Sequence, residues 1–584
     1  MLSAVDAGDA AALLAAVPAG RRVALVDPRF VGHVHALRLG LTDPRFAAAT
    51  VPGALTAQPE ARGALLRALH RTTAAVGAGA PVVDPETDPA PEDRTVPGRI
   101  AVALEAEGTA VQRPALGSLV ATVPTDAGQE AAAAAEVAAV DDEAVRLRSA
   151  VKAHDGFFTT FCISPYSRYI ARWCARRNLT PNQVTTASLI TALIAAGSAA
   201  TGTRGGYIAA GILLLVSFVL DCTDGQLARY SLQYSTMGAW LDATFDRAKE
   251  YAYYAGLAIG AVRGGDDVWV LALGAMVLQA CRHVVDFSFN EANHDAVANT
   301  SPTAALSGKL DSVGWTVWAR RMIVLPIGER WAMIAVLTAF TTPRIVFYAL
   351  LVGCALAACY TTAGRLLRSL TRKASRTDRA AQALADLADS GPLAQGVAAV
   401  APGLRGAFTA PAVALLGTLV MVGAALLLPY GSWLTVAAAA VYVVLSGLAV
   451  ARPLKGALDW LVPPFFRAAE YVTILVLAAR SDVPHAVPAA FGLVSAVAYH
   501  HYDTVYRIRG GTGAPPQWLV RTIGGHEGRT ALVAVLAAVL THASGFTTAL
   551  TALAVAVALV VLVESIRFWV SSSAPAVHDE GELA

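Results

Sequence analysis

The chain has 584 residues, 55% of them hydrophobic and only 15% charged, with a formal net charge of +2. A mean hydropathy of +0.51 points away from a soluble globular protein, and the near-neutral charge excludes nucleic acid as a partner held by bulk charge. The six cysteines (Cys162, Cys174, Cys222, Cys281, Cys354 and Cys359) form no C-x-x-C pair. Several sit in apolar segments, where a thiol behaves as a small hydrophobe, so neither a disulfide framework nor a zinc site is expected.

Residues 1–150 differ from the rest. The start, MLSAVDAGDAAALLAAVPAG, lacks a basic n-region and is too weakly apolar for a signal peptide. RVALVDP, from Arg22 to Pro28, suits a strand and turn, and Gln129–Arg148 has a helical pattern. Between them GAGAPVVDPETDPAPEDRTVPG reads as a loop. A small soluble α/β domain on the cytoplasmic side is expected. It has no Gly-rich phosphate loop with a lysine, so no chemistry is assigned to it.

Residues 151–183 interleave aromatics with Arg168, Arg172, Arg176 and Arg177. The pattern predicts an amphipathic helix lying in the membrane interface, or a plain anchor whose T-P-N-Q end caps the next helix. Apolar segments of near-spanning length then recur about twelve times. They begin at Val184, Tyr207, Gly238, Val268, Trp331, Ile345, Ala407, Trp433, Val462, Val487, Thr530 and Thr547, the fifth and eleventh being short. Basic clusters before the first span, after the sixth and after the tenth put both termini in the cytoplasm. The fold expected is an α-helical polytopic cell-membrane protein with two six-helix bundles in tandem, over 184–375 and 406–572. A basic and polar linker is expected over 376–405 and a disordered tail over 573–584.

The chemistry concentrates where the second span ends. Residues 221–246 read DCTDGQLARYSLQYSTMGAWLDATFD. Asp221 and Asp224 are i,i+3 on a helix, and Asp242 and Asp246 are i,i+4, so each pair shares a face. A carboxylate at membrane depth is costly unless paired. Four of them, with only Arg229 and Arg247 nearby, imply a bound cation. An all-oxygen site suits Mg²⁺ or Mn²⁺. Gly225 leaves room for a ligand to approach, and Arg229 has the donor fork that meets a phosphate. The alternative is a buried ion-pair network without chemistry.

The pattern D-x-x-D-G-x-x-A-R-x8-G-x-x-x-D-x-x-x-D resembles the signature of the CDP-alcohol phosphotransferase superfamily. Asp221, Asp224, Gly225, Ala228, Arg229, Gly238, Asp242 and Asp246 match every defined position. The resemblance implies transfer of a phospho-alcohol from a CDP-linked lipid or polyol donor to an alcohol or phosphorylated alcohol, with release of CMP. It implies that Asp221, Asp224 and Asp242 hold metal, two ions being expected. Asp246 would be the general base and also touch metal, and Gly225, Ala228, Arg229 and Gly238 would line the diphosphate site. K-x-x-D-G-F at Lys152 and T-P-N-Q-V-T at Thr180 are similar to inositol-phosphate-handling members such as the di-myo-inositol-phosphate phosphate synthases. That adds Pro181, Asn182 and Thr185 to the CDP-binding candidates. Arg282, Arg320, Arg321 and Arg330 are candidates for an anionic acceptor, although positive-inside bias explains them equally well. The polar stretch Asn290–Asp311 is placed to cover the acceptor.

The second half repeats the first. Trp240, Leu241, Phe245, Arg247, Ala248, Glu250 and Tyr251 recur as Trp460, Leu461, Phe465, Arg467, Ala468, Glu470 and Tyr471. His283 and Asp286 recur as His500 and Asp503, and Glu329 and Arg330 as Glu527 and Arg529. Val462 and Phe466 stand where Asp242 and Asp246 would be. The second copy therefore cannot build the metal site. An internal pseudo-dimer is expected, against a scaffold docked elsewhere. The competing function is a twelve-span transporter, which fits poorly because every acid of the site lies in one half. His283, His500, His501 and His526 lack metal-binding spacing and are expected to pack.

Overall fold

The computed structural model describes residues 7–18, 21–42, 46–77, 95–152, 155–294, 297–300, 323–371, 373–401, 403, 406, 408–540 and 544–571. The protein is mostly helical. Its N-terminal part holds α1 (Ala7–Ala16), β1 (Val23–Val26), β2 (Val31–Gly32), α2 (Val34–Thr42), β3 (Ala48–Val51), β4 (Ala54–Ala57), α3 (Arg62–Gly77), α4 (Val96–Ala106), β5 (Val111–Gln112) and β6 (Ala121–Thr122). The main sheet has the order β1-β4-β3-β5, antiparallel except for the parallel β3–β5 pair. Leu55, Leu65, Leu69, Ile100 and Leu104 form its core with the helices. The stretch read as one helix over Gln129–Arg148 is two, α5 (Ala127–Ala139) and α6 (Asp142–Ser149). The second starts because the Asp141 side chain accepts from the amide of Ala144 and recaps the chain. Of the expected loop, residues 78–94 lie outside the described residues, and its last residues already belong to α4.

A single π turn, Thr159–Ile163, leads into α7 (Ser164–Arg176). This helix is amphipathic as expected: Ser164, Ser167, Ala171 and Cys174 are buried, while Tyr166, Tyr169 and Trp173 are exposed. The long helices follow as α8 (Pro181–Ala200), α9 (Arg204–Ser231), α10 (Thr236–Arg263), α11 (Trp269–Asn293), then, after the short strand β7 (Val297–Thr300), α12 (Ile327–Phe340) and α13 (Pro343–Thr371). After β8 (Lys373–Ser375), which pairs with β7, come α14 (Asp378–Ala388) and α15 (Pro392–Val400). The segment 376–405, expected as a linker, is thus largely helical. Leu384 and Leu387 of α14 are buried in the second half, because its apolar positions fall on one face. The chain continues with α16 (Thr409–Leu427), α17 (Trp433–Val450), α18 (Val462–Arg480), α19 (Ala486–Arg509), α20 (Gln517–Thr522), α21 (Gly525–Val539) and α22 (Gly545–Ser571).

Twelve of these helices fall where the apolar segments were read. Eight are long and apolar enough to cross a membrane by length and composition: α8, α9, α11, α13, α16, α17, α18 with its preceding turn, and α22. Helices α12 and α21, with 14 and 15 residues, are the two short ones, and α10 carries the charges of the site. The expected tail over 573–584 lies outside the described residues, as do residues 295–296 and 301–311 of the polar stretch.

Packing in the two halves follows the same plan. Helix α8 packs on α9 and α10, α9 on α12, α10 on α11 and α11 on α13. Correspondingly α16 packs on α17 and α18, α17 on α21, α18 on α19 and α19 on α22. The amphipathic helices match too, α7 against α9 and α15 against α17. Gly256 and Gly260 of α10 lie against the backbone of Ala196 and Ala199 of α8, where any Cβ would collide; small residues permit this close approach. The halves meet through α10 and α11 on one side and α18 and α19 on the other.

Candidate active site

Two helix ends build the site. Helix α9 carries Asp221 and Asp224 in its last turns and stops at Leu232, which takes the left-handed conformation. Ser235 caps α10 by accepting from the amide of Gly238 at 2.9 Å, which starts the helix so that Asp242 and Asp246 face α9. One carboxylate oxygen from each of Asp221, Asp242 and Asp246 lies within 4.8 Å of the others. This is the one such group of potential metal ligands among the described residues. Asp224 adjoins it: it is nearly fully buried, its Oδ2 has no hydrogen-bond partner, and Thr185 is in reach of its carboxyl. An unpartnered buried carboxylate oxygen beside three further carboxylates fits a hard divalent cation with oxygen ligands.

The other sequence candidates fall around this cluster. Thr180 and Gln183 form a reciprocal capping box at the start of α8, with Pro181 in the first turn, so the T-P-N-Q segment is a helix cap as well as a neighbour of the site. Asn182 faces Gly238, where an added Cβ would sit 2.8 Å from Asn182 Oδ1, so the starts of α8 and α10 meet there. The Arg229 guanidinium lies over Gly225. Its Nε donates to the carbonyl of Ala150 at 2.6 Å, and its Nη1 is buried without a hydrogen-bond partner. That nitrogen is available to a phosphate oxygen. Ala228 is buried in the packing of α9.

The acceptor candidates fare differently. Arg330 is buried and paired with Glu250, Nε to Oε1 at 3.3 Å, and Arg247 joins the same carboxylate at 2.8 Å. Both are therefore scaffold ion pairs rather than anion receptors. Arg282 donates to the carbonyl of Val324. Arg320 and Arg321 lie outside the described residues.

Several contributors went unread in the sequence. Lys249, fully buried, places its ammonium against Asp221 and 3.2 Å from Asp246 Oδ1. Its spacing of three from Asp246 on one helix would have revealed it. Gln226 ties α9 to α7 through Ser167 at 2.8 Å and Ser164 at 3.3 Å. Tyr230 donates to Glu143 of α6 at 3.2 Å, so the N-terminal part is joined to the signature helix. From the second half, Tyr502 meets Arg247 at 3.4 Å and Trp569 stacks on Trp240 at 6.2 Å between centroids. Only tertiary structure brings these to α10.

Residues 178–343 match the family described as CDP-alcohol phosphatidyltransferase. Residues 378–584 match a separate family of unknown function (DUF5941). The chain is 29% identical over 199 residues to a bifunctional IPC transferase and DIPP synthase of Aquifex aeolicus, 33% of this chain and 43% of that protein. It is 31% identical over 113 residues to an archaetidylinositol phosphate synthase of Pyrococcus horikoshii, 19% of this chain and 58% of the relative. It is 30% identical over 131 residues to a phosphatidylinositol phosphate synthase of Streptomyces avermitilis, 22% and 51% respectively. The chain thus spans about half the length of the curated relatives it matches.

Proposed function

We propose that this chain is a metal-dependent CDP-alcohol phosphotransferase, since residues 178–343 match the CDP-alcohol phosphatidyltransferase family and the chain is similar to synthases of inositol-phosphate compounds. It moves a phosphatidyl or inositol-phosphate type group from a CDP-linked donor to an acceptor hydroxyl and releases CMP, in the synthesis of phospholipids or related polar lipids. The observation that carries this reading is the convergence of Asp221, Asp242 and Asp246 within 4.8 Å, beside the orphaned oxygen of Asp224.

Asp221, Asp224, Asp242 and Asp246 hold Mg²⁺ or Mn²⁺, with two ions in the complete site. Bound there, a divalent cation supplies the positive charge that a diphosphate and its departing phosphate require. Arg229 Nη1, over Gly225, binds and orients a phosphate of the donor. Asn182, Thr185 and Gly238 shape the wall on the α8 side. The acceptor oxygen attacks phosphorus, the bond to the CMP oxygen breaks, and Asp246 takes the hydroxyl proton. The basic loops next to this end of the helices support a site open to the cytoplasm in a multi-pass membrane protein.

The second half acts as the partner protomer of an internal pseudo-dimer, with two six-helix bundles about an axis along the membrane normal. The repeated helix packing and the twin pairs Arg247–Glu250 and Arg467–Glu470 support this. Residues 1–150 form a separate α/β domain ahead of the membrane.

The test is to incubate purified protein with CDP-diacylglycerol, Mg²⁺ or Mn²⁺ and a panel of glycerol phosphate, inositol phosphate and serine, following CMP. Metal-dependent CMP release with one acceptor is expected, and its loss in Asp242→Asn. CMP formation that persists in chelator or in that variant would remove the metal-site reading.

A further inference from the structure

Lys249 is a buried cation in the middle of an acidic cluster that needs cations. It touches Asp221 and Asp246, contacts no solvent, and its Nζ is 6.0 Å from the Trp331 ring centroid. A lysine so enclosed is not a surface residue that has folded inward. Its place in the internal repeat is informative. Position by position, Trp240, Arg247, Ala248, Glu250 and Tyr251 are kept in the second copy as Trp460, Arg467, Ala468, Glu470 and Tyr471. Five positions of this stretch change: Asp242 to Val462, Ala243 to Pro463, Thr244 to Pro464, Asp246 to Phe466 and Lys249 to Ala469. The lysine is present with the acids and absent without them.

We propose that Lys249 is a built-in counterion that limits the donor-free site to a single divalent cation and makes entry of the second depend on the diphosphate. This rests on the metal-site reading above. Four carboxylates and one ammonium carry about three net negative charges. One divalent ion leaves about one, whereas a second would leave a buried excess of about one positive charge, unfavourable in a site of low dielectric. A donor diphosphate brings about two negative charges and removes that excess. Without the lysine, two ions would balance four carboxylates with no donor present. The lysine thereby couples completion of the site to arrival of the donor.

The experiment counts Mn²⁺ bound to the purified full-length protein, by electron paramagnetic resonance of the free ion, with and without CDP as a soluble diphosphate. The wild-type protein is expected to hold one Mn²⁺ alone and two with CDP. Lys249→Met is expected to hold two in both conditions, and Lys249→Arg, which keeps the charge, to behave as wild type. Two ions on the wild-type protein without CDP overturn the proposal whatever the variants do. A single donor-free ion on folded Lys249→Met also overturns it. No bound Mn²⁺ in any condition would instead take down the metal-site reading itself, and this inference with it.

Discussion

Helix α10, and α18 with the turn before it, carry the same tryptophan, arginine, glutamate and tyrosine at the same spacing. In both, the arginine meets the glutamate one turn on, at 2.8 Å for Arg247–Glu250 and 2.9 Å for Arg467–Glu470. In both, a second arginine from a later helix reaches that glutamate, Arg330 in the first half and Arg529 in the second. A glutamate of that later helix also caps the amphipathic helix: Glu329 accepts from the amide of Phe158 at 3.3 Å, Glu527 from those of Gly391 and Ala394 at 3.0 Å. The lining is what differs. Where the first half gathers four aspartates and a lysine, the second places Phe466 in a stack on His526, centroids 4.1 Å apart, with Tyr442 bonded to His526 at 2.7 Å. A buried carboxylate needs a cation or hydrogen-bond donors beside it, and the copy without the acids fills the equivalent space with aromatic packing. Ion pairs that hold helices together are subject to no such choice and stay in both.

The largest effect should separate the two linings. Asp246→Asn is expected to lower CMP release by about 10²–10⁴-fold, while Phe466→Leu, its positional counterpart, lowers thermal stability and leaves turnover per folded molecule near wild type. A turnover loss in the Phe466 variant matching that of Asp246→Asn would end the idea of a silent half. Next, the shared scaffold can be broken symmetrically. Glu250→Gln strands buried Arg247 and Arg330 and should cost about 3–5 kcal/mol, whereas Glu470→Gln leaves Arg467 and Arg529 paired with Asp389 and should cost less, both measured by unfolding in detergent. An equal loss in the two halves would show that Asp389 does not compensate.

A third effect belongs to the second half alone. Asp389, outside the membrane-spanning helices, is buried against Arg467 and Arg529, both at 2.8 Å, and His500 at 3.2 Å. Burial by itself would raise its pKa, but the Arg467 and Arg529 guanidiniums hold it well below the usual carboxylate range. A depressed folded pKa gives stability that is fully present above the unfolded value, about pH 4, and is lost as pH falls through the folded one. Asp389→Asn should therefore lower stability at neutral pH and flatten its acid dependence below about pH 4; an unchanged acid slope would contradict this. The smallest effect tests the seam between halves. Tyr502→Phe removes the hydroxyl that meets Arg247 and should cost about 0.5–1.5 kcal/mol, read by thermal unfolding.

Much of this was legible in the residues. The places of the twelve helices, the two short ones included, were apparent from the apolar runs, and eight of them are long and apolar enough to cross a membrane, where backbone hydrogen bonding must be met within the helix. Asp221, Asp224, Asp242 and Asp246 were readable from helical spacing alone. The helical character of 378–400 was obscured by its interspersed charges and the Ser390–Pro392 break, and its burial depends on α11, α17, α18, α19 and α21 packing against it.

By itself, the sequence determined which helices form, which faces of α9 and α10 carry acids, and which half keeps them, since each is a local matter of period and composition. Tertiary structure alone decided which cations those acids meet. Arg247, read as near the acids in sequence, and Arg330, an acceptor candidate, turn to Glu250, while Lys249 enters the cluster and Arg229 bonds the carbonyl of Ala150. A long cationic side chain reaches carboxylates on several neighbouring helices, and which of them it pairs with is set by how those helices cross.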